Sequence, residues 1–172
     1  SRGLGDVYKR QVLSYEEMNG YCNRAIKLNP NCKLTLILMQ VNDMEDYMKN
    51  EGSGFVQDLL QSVQDTVRRH VGHRGIVCPL QPNLMSVVVQ DINSDIKLRA
   101  FIESLRSRIA WNYRLIDPKY EISFSFGVAC YPENGMDMRI VHRKLVKALQ
   151  MAQEKHANCY VIYKEHLHGE LS

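Results

Sequence analysis

The chain lacks several features that would place it in a specialised class. No apolar run reaches the roughly 18 residues that cross a bilayer, and the N-terminus has no apolar stretch of the kind found in secretory signals. Membrane contact is therefore not expected. The 22 basic and 19 acidic residues are scattered, with no polybasic arm or acidic tail behind the formal charge of +3, so no nucleic-acid contact is expected either. The five cysteines (Cys22, Cys32, Cys78, Cys130 and Cys159) are odd in number, widely spaced and free of any CxxC pair. This argues against a disulfide framework or a zinc site and for a reducing, cytoplasmic setting. No serine or cysteine stands in a nucleophile motif such as GxSxG.

What remains is an ordinary globular composition, 45% apolar and 24% charged over 172 residues, which suits one domain. There is no internal repeat and no interior linker. Ser1 to Gln11, SRGLGDVYKRQ, shows neither helical nor strand periodicity. Back-translated, Asp6 to Gln11 can be written GAT GTG TAT AAG AGA CAG, which resembles the transposase end of a sequencing adapter. Residues 1–11 are accordingly expected to be a non-native, irregular segment, with any preceding domain cut away. The domain proper is expected over 12–167, followed by a polar tail over 168–172.

Ser14 and Glu17 form a capping-box pattern, with Leu13 and Met18 as its staple, which predicts a helix from Ser14 to Asn29-Pro30. Leu34 to Val41, LTLILMQV, reads as a buried central strand, and a short helix follows from Asp43. Val56, Leu59, Leu60, Val63 and Val67 recur at helical spacing up to about His70. Ile76 to Cys78 and Leu84 to Val89 read as hairpin arms joined by a loop of a few residues around Gln81-Pro82-Asn83. Leu98, Phe101, Ile102, Leu105 and Ile109 mark a helix ending before Asp117-Pro118, with Trp111 and Tyr113 as core or rim aromatics. Glu121 to Ala129 reads as a strand. Asp137 caps a helix with Val141, Leu145, Ala148 and Ala152 inward, and Cys159 to Tyr163 is the last strand. The order α-β-α-α-β-β-α-β-α-β predicts an α/β (α+β, palm-like) fold with a central mixed five-stranded sheet, one β-hairpin and flanking helices.

This order and several local sequences resemble the GGDEF (diguanylate cyclase) family over about Leu13 to Leu167. SFSFGVACYPENG resembles the family strand ending in Ser-x-Gly-Val-Ala. KALQMAQEKHANCYVIY resembles its Ala-Leu-x-x-Ala-Lys-x-x-Gly-x-Asn-x-x-x-x-Tyr ending, with Gly127, Ala148, Leu149, Ala152 and Asn158 in place. Leu36 to Leu60 follows the strand, the Asp-x-Asp-x-Phe-Lys segment and the next helix start without a gap, matching at Gly52 and Leu60.

The resemblance implies a fold whose active members join two GTP molecules using carboxylate-held divalent metal. It also implies where this chain departs from them. Gln40 and Asn42 stand at the two aspartates of the first strand segment, and Gln81-Pro82-Asn83-Leu84-Met85 stands at the signature pentapeptide. Met48 and Gln57 stand at the guanine-reading positions, and Gln153 at the phosphate-contacting lysine. The inhibitory Arg-x-x-Asp falls near Gly72 to Gly75, where both charged positions are glycine.

The reading is therefore a degenerate, non-catalytic module of a larger bacterial signalling or transcription-regulatory protein. It would act by dimerisation or signal relay, with other domains of the same protein or a homodimer partner, and without metal or cofactor. The alternatives are a cyclase with displaced ligands, which would use Mg²⁺ through Asp43 and Asp46, and a GTP-binding sensor without turnover. Asp43 and Asp46 read more simply as a helix N-cap and a first-turn acid. The methionines Met39, Met44, Met48 and Met85 read as apolar infill of a disused pocket. His70-x-x-His73 reads as a polar helix end, His166 and His168 as solvent-exposed tail, and Arg68-Arg69 and Arg106 with Arg108 as solvated charge.

Overall fold

A computed structural model describes residues 4–114, 122–155 and 159–169. In chain order they form α1 (Leu4–Leu28), β1 (Leu34–Val41), α2 (Met44–Glu51), α3 (Ser53–Val71), a 3₁₀ turn (Gly72–Arg74), β2 (Gly75–Gln81), β3 (Leu84–Gln90), α4 (Asp95–Arg114), β4 (Phe124–Tyr131), α5 (Met138–Glu154), β5 (Cys159–Ile162) and a one-turn α6 (Glu165–His168). The strands form one five-stranded sheet in the order β2-β3-β1-β4-β5. Every pairing is antiparallel except β4 with β5, so the sheet is mixed as expected. The helix α5 makes the crossover that a parallel pair requires.

Alternation along β1 sends its side chains to two cores. Ile37, Met39 and Val41 join Val56, Leu59, Val63 and Val67 of α3 and Leu98, Ile102 and Leu105 of α4. Leu34, Leu36 and Leu38 join Met18 and Cys22 of α1 and Val141, Leu145, Ala148 and Ala152 of α5. A strand buried on both faces must be apolar at nearly every position, which is why LTLILMQV is legible without alternation. Burial pushes the Cys22 thiol up to about 12 and the Cys78 thiol up to about 11, with neighbouring thiols and Glu17 adding to the effect. Both therefore pack as small apolar groups.

The second core depends on one close approach. A Cβ at Gly127 would lie 2.3 Å from the Leu149 backbone nitrogen and 2.8 Å from the Leu145 carbonyl oxygen. Only glycine lets α5 settle this closely on β4.

Several expected boundaries move. α1 begins at Leu4, ten residues before the predicted start, so Ser14 is a helix-interior residue and residues 4–11 of the segment expected to be irregular are helical. No glycine or proline interrupts 6–19, and Lys, Arg and Gln favour helix. The capping-box pattern is therefore read through.

β4 runs over Phe124–Tyr131 rather than from Glu121 to Ala129 because its partner sets its length: Val41 pairs with Phe124, and Leu34 with Tyr131. Gln81 belongs to β2 and pairs with Leu84, so the hairpin turn is two residues, Pro82-Asn83, and shorter than predicted. β5 ends at Ile162, although the Tyr163 amide still donates to the Val128 carbonyl at 2.8 Å.

His168 closes α6 and is half-buried, and its Nδ1 accepts from the Lys164 amide at 2.9 Å. Trp111 is a rim residue. Glu121, Asn158, the Asp117-Pro118 stop and the Tyr113 side chain lie outside the described residues.

Candidate functional site

The C-terminal end of β1 and the Pro82-Asn83 turn meet at one end of the sheet. The register sets Gln40 between Leu84 of β3 and Ser125 of β4. Just beyond it the backbone is laced to the turn. The Val41 amide donates to the Asn83 carbonyl at 2.9 Å, and the Asn83 side-chain amide donates to the Val41 carbonyl at 3.2 Å. The ladder thus continues past the last strand pair through a side chain, as a buried backbone carbonyl requires.

Strand parity decides what faces this end. Gln40 and Asn42 point to the α5 side, opposite the buried Met39 and Val41. Asn42 donates to the hydroxyls of both Ser123 and Ser125 at 3.0 Å, and its backbone amide donates to the Ser123 carbonyl at 2.9 Å. From the last turn of α5, the Gln153 amide donates to Oε1 of Gln40. Gln40, Asn42, Asn83, Leu84 and Gln153 are thus brought to one end of the sheet, with Ser123 and Ser125 as additional members. The two serines were not singled out from sequence. Their Ser-x-Ser spacing, which aims both side chains to one face, was the available signal.

Met85 departs from the expected picture. It and Met39 are fully buried in the α3–α4 core, while Met48 is 49% exposed and Met44 partly buried. Hence these methionines do not fill a disused pocket: two are core, and Met48 is surface. Met48 and Gln57 sit on exposed positions of α2 and α3, and among the described residues no hydrogen bond joins either to the amides. Gln81 and Pro82 are exposed at the hairpin tip.

None of the gathered side chains carries a charge at neutral pH. A Mg²⁺ ion takes hard oxygen ligands, usually with one or two carboxylates. Here the oxygens are amide and hydroxyl oxygens, Leu84 offers none, and the Gln40 oxygen already accepts from Gln153. The donor set does not fit a divalent metal. Asp43 stands next along the chain in a left-handed conformation (φ 64°), at the N-cap position of α2 without a side-chain cap bond. Asp43 and Asp46 are both exposed. Of the predicted helix-end histidines, His70 is half-buried with Nε2 3.2 Å from the Phe101 carbonyl, and His73 is exposed. Burial holds the His70 imidazole below its ordinary range, with Arg108 and Arg74 acting in the same direction against the Phe101 bond. Among the described residues, no group of three or more His, Cys, Asp or Glu could hold a metal ion.

The family model for the diguanylate cyclase GGDEF domain matches residues 7–159. The chain belongs to the GGDEF family. The active GGEEF domain of a Vibrio cholerae diguanylate cyclase superposes with a TM-score of 0.72 at 16% identity, over 84% of this chain and 90% of that one. The DgcB GGDEF domain of Caulobacter crescentus, solved with c-di-GMP, gives 0.71 at 13% identity over 86% of each chain. The palm-like cyclase fold of this GGDEF domain is thereby established. A curated relative, the uncharacterized protein sll1895 of Synechocystis, is 17% identical over 142 residues, which is 83% of this chain and 20% of that protein. The chain thus spans about a fifth of that relative's length. No described helix of this GGDEF domain is long and apolar enough to cross a membrane.

Proposed function

We propose that this GGDEF domain is non-catalytic and serves a larger bacterial signalling or transcription-regulatory protein by dimerisation or by relaying a conformational signal between neighbouring domains. The observation that carries this reading is the neutral constellation at the end of β1. Amide-to-amide and amide-to-hydroxyl bonds join these side chains, at positions where the sequence resemblance implies metal carboxylates and a phosphate-binding lysine. Phosphoryl transfer relies on positioned charge to stabilise its transition state, and these side chains supply none. Support for a larger host comes from the Synechocystis relative, in which the similar region is a small part of a much longer protein.

Titration calorimetry with GTP and Mg²⁺, followed by chromatography of the mixture, tests the reading. The expected outcome is neither saturable heat nor cyclic di-GMP. Product formation that disappears in Asp43→Ala would sink the proposal in favour of displaced ligands, and saturable GTP binding without product would replace it with a nucleotide sensor. A triple variant, Gln40→Asp, Asn83→Asp and Leu84→Glu, restores the hard ligands. It should gain a Mg²⁺-dependent rise in Tm that the parent chain does not show.

A further inference from the structure

A groove of about 570 Å³ lies between α3 and α4, lined among others by Thr66, Arg69, Ser104, Arg108, Trp111 and Asn112. The Asn112 amide donates to the Thr66 hydroxyl at 2.9 Å, and that hydroxyl donates to the Ser62 carbonyl at 2.8 Å. The two helices are thus pinned together by satisfied polar groups. On the open side stands Trp111, the only tryptophan in the chain, with 65% of its surface exposed.

The charges around it are unbalanced. Arg106 pairs with Glu103 at 3.2 Å, but among the described residues neither Arg69 nor Arg108 has a carboxylate partner. Arg74 is committed to the His70 carbonyl at 2.7 Å and lies over the Phe101 ring. Isolated as sequence, Arg69 and Arg108 read as solvated charge; in the fold, they line the same groove as an exposed indole.

Tryptophan and arginine are the residues that most often dominate binding energy at protein interfaces. The indole offers a large rigid contact, and the guanidinium a planar fork for carboxylates. We propose that the α3–α4 groove docks an acidic peptide segment of a partner protein, with an apolar side chain against Trp111 and carboxylates on Arg69 and Arg108. Charge complementarity selects this occupant, since a groove with two guanidinium groups that have no carboxylate partner among the described residues disfavours basic segments. A nucleic acid is a poorer fit because its affinity rests on many phosphate contacts along a basic track. The formal charge of the whole chain is only +3. The inference is independent of whether the β1 site turns over GTP.

The lone tryptophan is its own reporter. A short synthetic peptide alternating glutamate and leucine is titrated into the full chain while Trp111 emission is followed. The controls are the same peptide with lysine for glutamate, oligouridine and GTP. Expected are a saturable emission shift with the glutamate peptide and weakening on raising salt, because the contacts are exposed. Affinity should fall about tenfold or more in Arg69→Glu/Arg108→Glu, with unchanged far-UV circular dichroism. Calorimetry on Trp111→Ala should show a similar loss. The proposal is overturned by absence of a saturable shift, by equal binding of the lysine peptide, by tighter binding of oligouridine or GTP, or by full affinity in the double-arginine variant.

Discussion

The β4–α5 half of the domain and the β1–hairpin end share one sheet yet meet different demands. Where β4 meets α5, Gly127 retains the family pattern because a Cβ there would collide with backbone atoms of Leu149 and Leu145. At the end of β1, Gln40, Asn83 and Leu84 occupy positions that packing leaves open: Gln40 is half-buried, and Asn83 and Leu84 likewise. Gly127 is fixed by sterics, whereas the half-buried end of β1 leaves room for side chains of different chemistry within the same fold.

The sharpest way to break that contrast is Gly127→Ala, which should cost about 3 kcal/mol or more because backbone, not a flexible side chain, must move. A shift of the urea midpoint measures it, and a neutral result would mean α5 is free to slide. Next comes a comparison inside the pentapeptide. Met85→Ala opens a cavity in the α3–α4 core and should cost about 2–4 kcal/mol, while Leu84→Ala, one residue earlier on the half-exposed face, should stay within about 1 kcal/mol. Similar losses at both sites would erase the distinction between core and site.

A smaller effect is expected for Gln153→Ala, which removes the bond to Gln40. About 0.5–1 kcal/mol should be lost, equally with and without Mg²⁺, and a metal-dependent loss would show that the amides serve an ion. The smallest effect is on pH. Burial lowers the imidazole pKa of both His70 and His142, so the unfolded chain takes up protons first on acidification. Stability should be level above about pH 6.5 and decline as pH falls through the unfolded value toward the folded ones. His70→Asn should flatten that slope, and a rise in stability on acidification would contradict the assignment.

The core was legible because burial on two faces writes itself as nearly continuous apolar sequence in β1 and as a clean 3.6-residue period in α3 and α5. Boundaries were less so. The start of α1 was hidden by a local capping pattern that an uninterrupted helix overrides, and the ends of β4 are set by β1, some ninety residues away. At the site, resemblance located Gln40, Asn42, Asn83, Leu84 and Gln153, but only the folded structure reveals that the Gln153 amide reaches Gln40 and that Ser123 and Ser125 hold Asn42. The exposure of Trp111 beside Arg69 and Arg108 depends on how α3 and α4 cross, which no single helix period encodes.

The central place of β1 has a bearing on biosynthesis. Both of its sheet neighbours come later in the chain, β3 over Leu84–Gln90 and β4 over Phe124–Tyr131. During translation its eight apolar-rich residues leave the ribosome well before either partner exists, with both hydrogen-bonding edges open. Such long-range pairing slows folding and leaves the nascent strand open to aggregation. Chains truncated before Phe124 should be chaperone clients, and release should come only when β4 emerges and closes the second edge.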